Sequence, residues 1–157
     1  MTPQQLLEFC KKNKVEMVDF KFVDFPGTWQ HFSIPISEFT EEVIKGGSGF
    51  DGSSIRGWQA INDSDMLAIP DPSTAFIDPF TKFPTLSIIC NIKDPVTGDL
   101  YPKDPRSLAQ KAEAHLKASG IGDVSYFGPE AEFFIFDNIR FDQTGNSGYY
   151  FIDSDEG

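Results

Sequence analysis

The amino-acid sequence predicts an α+β fold, and three observations favour this class. A helix-start signal opens the chain, the segment 18–22 alternates polar and apolar residues, and the segment 85–92 is a nearly continuous apolar run. Alternation with period two is typical of a half-buried strand, and a short apolar run is typical of a strand covered on both faces. The length of 157 residues predicts one domain, or one domain with part of a second.

Composition and charge exclude several classes of protein. The 13 Lys and Arg against 24 Asp and Glu give a net charge of −11, which disfavours binding to nucleic acid. An aromatic content of 14%, mostly from 16 Phe, argues against intrinsic disorder. No apolar run is long enough for a membrane span, and no secretory signal opens the chain. We therefore expect a cytoplasmic protein, with Cys10 and Cys90 as buried, reduced thiols.

The first predicted elements are a helix and a hairpin. Thr2 is expected at the N-cap of the helix, with Pro3 at the first helical position and Gln5 completing a capping box. Strands are predicted over residues 18–22 and 29–34, because a Pro-Gly turn separates these two apolar-rich segments.

The middle of the chain predicts a short helix, a loop and two strands. Apolar residues within 39–44 indicate a helix that a Gly-Gly pair ends, and residues 48–62 form a loop rich in Gly and Ser. Strands are predicted over 65–69 and 85–92. The segment 70–84 between them contains four prolines, so we expect no regular structure there.

A boundary is predicted between a domain of residues 1–100 and a second domain of residues 101–157. The second domain begins with a helix that Asp104 caps and Gly120 ends, followed by a strand over 130–136. The apolar positions of this helix are expected on one face: Leu108, Ala112 and Leu116. One helix and one or two strands are too few to bury a core, so we expect a chain truncated within this domain.

Asp51 is the first candidate site residue. Its carboxylate lies between glycines, with Phe50 and Trp58 on either side and two serine hydroxyls, of Ser53 and Ser54, close by. A carboxylate beside aromatic faces could hold a small cation. The alternative is a turn in which Asp51 accepts hydrogen bonds from backbone amides and the serines are solvated. The residues alone leave both interpretations open.

Glu130 and Glu132 are the second candidate site. Their spacing in a predicted strand places both carboxylates on one face, among strongly apolar neighbours. Two like charges in such surroundings are costly unless a cation offsets them, and hard divalent ions such as Mg²⁺ or Mn²⁺ prefer oxygen ligands. The alternative is a solvated strand face.

Six short segments follow one another in a fixed order along the chain. They are Phe50–Ser54, Asn62–Met66, Pro70–Ala75, Ile77–Phe80, Asp104–Arg106 and Phe127–Phe134. In sequence, order and spacing they closely resemble the bacterial type I glutamine synthetase family over essentially the whole chain. One departure is Ala131, where some members have proline between the two glutamates.

The resemblance implies a β-grasp domain over residues 1–100, followed over 101–157 by the start of an α/β catalytic domain built on an antiparallel sheet. It also implies an ATP-dependent ligase. In the family, ATP phosphorylates the side-chain carboxylate of glutamate, and ammonia then displaces phosphate to give glutamine. Two divalent metal ions, Mg²⁺ or Mn²⁺, lie in each active site.

The resemblance also implies roles for individual residues. Glu132 would bind the metal ion that positions glutamate, and Glu130 the metal ion at the ATP phosphates. Asp51 would bind ammonium and help to remove its proton, Ser54 would orient the Asp51 carboxylate, and Trp58 would shape the adjacent active-site wall. The family assembles into double-ring dodecamers of identical subunits, in which the loop carrying Asp51 serves a neighbouring subunit.

The other metal ligands and the Arg residues of the family pattern lie outside this sequence, so we expect no catalysis by these 157 residues alone. Two alternatives stay open. One is a β-grasp module that binds a protein partner without catalysis. The other is a γ-glutamyl–amine ligase of the same superfamily, although Asp51 with Ser54 favours ammonia over a bulkier amine.

Overall fold

The computed structural model describes residues 1–156, which form one compact unit from Met1 to Val124 and a second that begins at Ser125. The first unit contains three helices and six strands, and the second contains a two-stranded hairpin. In chain order the elements are α1 (Pro3–Lys12), β1 (Met17–Val23), β2 (Trp29–Pro35), α2 (Glu41–Gly46), β3 (Ser48–Asp51), β4 (Asp65–Pro70), β5 (Phe76–Ile77), β6 (Thr85–Lys93), α3 (Pro105–Ser119), β7 (Asn138–Gln143) and β8 (Gly148–Asp153).

The start of α1 confirms the predicted capping box. Thr2 Oγ1 accepts a hydrogen bond from the Gln5 amide at 3.2 Å, and Gln5 Oε1 accepts one from the Thr2 amide at 2.8 Å. Two amides that have no partner within the helix are thereby satisfied. The helix buries Leu6 and Cys10, four residues apart on one face, against the core.

The sheet of the first unit has the strand order β2-β1-β6-β4-β3, with β5 also paired to β6. The β1–β6 pair is parallel, and the other pairs are antiparallel. Strand β6 is central because β1 lies along one side of it, while β5 and β4 share its other side in succession. Both edges of β6 are therefore paired, and the residues of its first half are buried on both faces, as its continuous apolar sequence predicts.

The core lies between the sheet and helices α1 and α2. Phe20 and Phe22 point inward from β1 with period two, and the Phe20 ring stacks on Phe32 of β2 at 5.1 Å between centroids. Full burial of side chains of this size contributes about 1.5–3 kcal/mol each. Phe20 is completely buried, so Phe20→Ala would lower the free energy of unfolding by about 3–5 kcal/mol.

Both cysteines are free and buried, as expected. Burial raises the pKa of the Cys10 thiol to about 11 and raises the pKa of the Cys90 thiol further. Thiols with such raised pKa values are unreactive at neutral pH.

Two predictions about the first unit are wrong in detail. The 48–62 segment does not start as a loop, because Ser48–Asp51 pairs with β4 as strand β3. The Pro-rich segment 70–84 contains a single 3₁₀ turn and the short strand β5. In both places pairing with a neighbouring strand gives the backbone its hydrogen bonds despite unfavourable local residues.

Helix α3 spans the predicted residues but buries a different face. Of the predicted face, Leu108 is 63% exposed, Ala112 is exposed and Leu116 is half-buried, whereas Ser107 is completely buried. The first turn of the helix fixes this orientation. Ser107 Oγ donates to Asp104 Oδ2 at 2.9 Å, and Arg106 Nε donates to Asn91 Oδ1 of β6 at 2.9 Å.

The second unit is an antiparallel hairpin of β7 and β8 that the sequence analysis did not place. The predicted strand over 130–136 is wrong, because these residues form no strand. A strand needs a partner for its amide and carbonyl groups, and within residues 1–156 no strand pairs with this segment. Among residues 1–156, none of the helices α1, α2 and α3 is long and apolar enough to cross a membrane.

Candidate functional site

Asp51 ends the edge strand β3, where the chain turns into a short 3₁₀ helix over Gly52–Ser54. The Gly52 amide donates to the Ser64 carbonyl at 2.7 Å, which closes the β3–β4 pair. A Cβ at Gly52 would lie 2.6 Å from Met66 Cγ, so this position requires glycine. Close packing beneath Gly52 therefore fixes the backbone that presents Asp51.

The Asp51 carboxylate is held at one oxygen only. Asp51 Oδ1 accepts hydrogen bonds from the Ser53 hydroxyl at 2.6 Å and from the Ser53 amide at 2.8 Å. The Ser53 hydroxyl and then the Ser53 amide lower the pKa of Asp51, desolvation raises it by less, and the Ser64 and Ser54 hydroxyls lower it least. The group is exposed and is ionised at neutral pH.

No ion pair to Asp51 and no hydrogen bond to its Oδ2 occur among the residues that the structure describes. We call residues 51–54 the Asp51 turn. It presents an anionic oxygen that is free to bind a cation. The sequence left open whether Asp51 forms a turn or binds a cation. Both are possible together, because the hydrogen bonds of the turn use only Oδ1.

An open cleft of about 430 Å³ lies beside the Asp51 turn. Its aromatic floor is formed by Phe22, Phe32 and Phe50, whose ring centroids lie 4.9 Å (Phe22–Phe50) and 6.0 Å (Phe32–Phe50) apart. Asp51 and Ser54 lie at its polar side. The structure thus brings together Asp51, Ser54 and aromatic rings, three features that the sequence analysis grouped.

Trp58 lies behind this floor rather than in the cleft lining. The indole is 2% exposed and packs against Phe22 at 5.4 Å and Phe50 at 6.3 Å between ring centroids. Its Nε1 is buried and has no hydrogen-bond partner within residues 1–156. The role of Trp58 in an active-site wall stays a prediction, and in this chain its contact with the site passes through Phe50.

A second turn with the same local pattern follows at residues 71–74, which we call the Asp71 turn. Asp71 Oδ1 accepts from the Ser73 hydroxyl at 2.6 Å and from the Ser73 amide at 3.0 Å, and a short 3₁₀ helix follows. Its other oxygen, Oδ2, pairs with the Arg106 guanidinium. The two turns share an Asp-x-Ser-Ser/Thr pattern that could have been found in the sequence.

The pKa of Asp71 reflects three opposed influences. Partial burial raises it, but the Ser73 hydroxyl and amide and the Arg106 charge together outweigh burial and hold the pKa below its usual value. Asp71 is therefore ionised and already neutralised by a cation of its own chain.

Glu130 and Glu132 lie in the second unit, in an exposed segment without regular secondary structure. Their carboxylate oxygens are the ligand type that Mg²⁺ and Mn²⁺ prefer, so the donor chemistry fits. Within residues 1–156, however, no three His, Cys, Asp or Glu side chains come together in a group that could hold a metal ion. The pair supplies two ligands and does not complete a coordination shell in this part of the chain.

Comparison with known proteins identifies two matching families. The family described as the β-grasp domain of glutamine synthetase matches residues 14–95, and the family described as its catalytic domain matches residues 102–156. The glutamine synthetases of Microchaete diplosiphon and Aquifex aeolicus are each 56% identical over 156 residues. These matches cover 99% of this chain and 33% of each relative, so the chain spans about a third of their length.

A solved structure gives the same result for the fold. The cryo-electron microscopy structure of Plasmodium falciparum glutamine synthetase matches 98% of this chain and 30% of its own, at 27% identity and a TM-score of 0.74. The predicted fold class, a β-grasp domain followed by the start of a catalytic domain, is confirmed. The predicted domain boundary between residues 100 and 101 stays a prediction. The two compact units of the structure divide after Val124.

Proposed function

Because this chain belongs to the glutamine synthetase family, we propose that the complete protein is a glutamate–ammonia ligase. In this reaction the γ-phosphoryl group of ATP passes to the side-chain carboxylate of glutamate, and ADP leaves. The nitrogen lone pair of ammonia then attacks the acyl phosphate carbon, and phosphate leaves as glutamine forms. Ammonium has no lone pair, so a base must first remove one proton.

The observation that carries this proposal is the free anionic oxygen of Asp51. Ser53 holds Asp51 Oδ1, and no cation of the described chain pairs with Asp51 Oδ2. The lowered pKa of Asp51 keeps the carboxylate ionised, which favours the binding of ammonium. We propose that Asp51 binds ammonium through charge and then accepts its proton. Ser54, which lines the same cleft, helps to orient the carboxylate, and Trp58 supports the adjacent wall through Phe50.

Glu130 and Glu132 are proposed as metal ligands of the complete enzyme. Glu132 would bind the ion next to glutamate and Glu130 the ion next to the ATP phosphates. Two bound Mg²⁺ or Mn²⁺ ions would supply charge neutralisation for phosphoryl transfer. The two carboxylates contribute anionic oxygens without any neighbouring Lys or Arg to neutralise them in the described chain.

We further propose that identical subunits form a double-ring dodecamer in the cytoplasm, in which the Asp51 turn of one subunit completes the site of its neighbour. Mixing nearly inactive Asp51→Asn and Glu132→Ala subunits tests this arrangement. Head-to-tail rings assembled at random from equal amounts would contain an intact site at about a quarter of the interfaces. Recovery towards that fraction supports a shared site, and no recovery in verified mixed rings would mean that one chain builds each site.

The activity itself is tested with the complete purified protein. We expect equal amounts of glutamine, ADP and phosphate from glutamate, ammonia and ATP with Mg²⁺. Product formation with methylamine but not with ammonia would indicate an amine ligase instead. A protein that consumes no ATP with either acceptor would favour a module that only binds a partner.

The proposed metal ligands are tested by Glu132→Ala, with the exposed Glu156→Ala of the same unit as a matched control. We expect Glu132→Ala to weaken Mn²⁺ binding and to lower turnover by about 10²-fold or more, because a lost anionic ligand removes charge stabilisation. Equal Mn²⁺ affinity and turnover in the two variants would contradict the assignment.

A further inference from the structure

The segment that follows the Asp51 turn is fastened at its far end by two side chains from residues 101–103. The Tyr101 hydroxyl donates to the Trp58 carbonyl at 2.9 Å. Lys103 Nζ donates to the same carbonyl at 2.7 Å and to the Gly57 carbonyl at 3.1 Å. We call these three hydrogen bonds the loop anchor.

The geometry of the loop anchor depends on an unusual backbone at Gly57. Its φ of +80° lies in the left-handed region, which side chains other than hydrogen rarely adopt. In this conformation two successive carbonyls, of Gly57 and Trp58, accept from a single ammonium group. An ammonium group has three donors, and hydrogen bonds from a charged donor are stronger than neutral ones.

Tyr101 is suited to a fixed structural donor. The residue is 5% exposed, and its ring packs against Trp58 at 5.2 Å between centroids. Burial raises the pKa of its phenol, so the hydroxyl stays protonated at neutral pH and donates. The anchor therefore remains formed throughout the neutral range.

Two contacts lead from the loop anchor back to the Asp51 turn. The Trp58 ring packs on Phe50, the residue directly before Asp51. The Tyr101 hydroxyl also lies 3.3 Å from Gln59 Oε1, and the Gln59 side chain packs beside Gly52, where a Cβ would meet Gln59 Cγ at 3.3 Å. The loop anchor is thus linked to both neighbours of Asp51: to Phe50 through the Trp58 ring, and to Gly52 through the Gln59 side chain.

We propose that Tyr101 and Lys103 are positioning residues for the ammonium-binding carboxylate of Asp51. This inference rests on the proposed function and deepens it. Neither residue contacts the carboxylate, and both act by fixing the backbone of residues 52–58. Tyr101 and Lys103 lie where the two family matches, 14–95 and 102–156, adjoin. The anchor therefore joins the start of the catalytic region to the loop of the β-grasp domain.

The test uses the complete protein and four variants. Tyr101→Phe removes only the hydroxyl and keeps the ring. Lys103→Met removes the ammonium group and with it both hydrogen bonds to the Gly57 and Trp58 carbonyls. Lys103→Arg keeps a cationic donor and serves as the conservative rescue. Gln110→Ala is the matched control, because it removes a hydrogen bond to Asn91 of 2.9 Å that is remote from the loop.

Two measurements separate positioning from general stabilisation. We expect faster hydrogen exchange of the amides of residues 52–58 in Tyr101→Phe and Lys103→Met, since local opening becomes easier. We also expect the apparent KM for ammonia to rise about threefold to tenfold, the range for losing one or two hydrogen bonds. The KM values for ATP and glutamate should stay unchanged, and Lys103→Arg and Gln110→Ala should resemble the wild type.

Each other outcome is informative. Unchanged exchange in both anchor variants overturns the inference whatever the activity. The inference is also overturned if hydrogen exchange is faster but the KM for ammonia is unchanged, or if all three KM values rise together. In either case the loop anchor only stabilises the fold. Glutamine synthesis that is insensitive to Asp51→Asn overturns the proposed function instead, and hydrogen exchange then still shows whether the anchor holds the loop.

Discussion

The Asp51 turn and the Asp71 turn are nearly the same structure in two surroundings. In each, an aspartate caps a short 3₁₀ helix and accepts from the hydroxyl and amide of the serine two residues later. At Asp71 the second carboxylate oxygen is paired with Arg106, and at Asp51 no cation of the described chain lies within ion-pairing distance. One carboxylate is neutralised within the fold, and the other keeps a free charge.

The difference shows that local sequence determines the turn but not its use. Both turns lower the pKa of their aspartate by the same serine contacts. The Arg106 side chain comes from α3, 35 residues along the chain, and ties that helix to the end of β4. We therefore assign the Asp71 turn to the stability of the fold and the Asp51 turn to the binding of a cation.

Removing the charge of Asp51 should affect catalysis more than any other change considered below. Asp51→Asn keeps the shape of the side chain but removes its charge, so turnover of the complete enzyme should fall about 10²-fold or more. Its free energy of unfolding should change little, because the carboxylate is exposed. Steady-state rates and urea denaturation check both statements, and a variant that is active but unstable would reverse the assignment.

The matched substitution at Asp71 should have the opposite profile. Asp71→Asn leaves the guanidinium of Arg106 partly buried without its anion, so the free energy of unfolding should fall by about 1–3 kcal/mol. Turnover at a temperature where the protein remains folded should match the wild type. Urea denaturation measures the first quantity, and a specific loss of turnover with unchanged stability would contradict the comparison.

Substitutions of Ser53 and Ser73 should have intermediate effects that distinguish the two turns further. Ser53→Ala removes the largest cause of the lowered pKa of Asp51, so the acidic limb of the pH–rate profile should move to higher pH. Ser73→Ala removes the equivalent hydroxyl at Asp71 and should leave that limb in place. The pH–rate profiles of the two variants are the measurement, and equal shifts would argue against a catalytic role for Asp51.

The smallest effect is a pH dependence of stability. The pKa of Asp71 is lowered in the folded state, so its contribution to stability is complete above its unfolded pKa of about 3.9 and is lost as pH falls through the folded value. Below about pH 4, Asp71→Asn should therefore lose less stability per pH unit than the wild type. Thermal unfolding between pH 6 and acid pH measures this, and parallel curves would contradict it.

Much of the first unit could be predicted because its signals are local. The capping box of Thr2 and Gln5 and the alternation of 18–22 depend on neighbours within a few residues. The face of α3 could not be predicted, since Arg106 and the capping Asp104 bind residues of β6 that lie 12 to 15 positions away. The strand expected at 130–136 needs a pairing partner that its own sequence does not specify.

Local sequence likewise indicated the candidate site residue Asp51 but not the contacts that hold it. The pattern around Asp51 identified the carboxylate, but not that Ser53 provides both hydrogen bonds to its oxygen. The hairpin of β7 and β8 was missed although Ile139 and Phe141 alternate before a Thr-Gly-Asn-Ser turn. Contacts such as those of Tyr101 with Trp58 join residues 43 positions apart, and no local pattern indicates them.

In the proposed function Asp51 takes a proton from bound ammonium, whereas Asp71 takes part in no such step. The most direct test is the pH dependence of glutamine formation at fixed total ammonia and below saturation. Asp51→Asn must use free ammonia from solution, whose concentration rises about tenfold per pH unit below the pKa of ammonium. Its residual rate relative to wild type should therefore rise steeply between pH 7 and 8, while the relative rate of Asp71→Asn stays flat. A flat relative rate for Asp51→Asn would mean that Asp51 does not take the proton of ammonium.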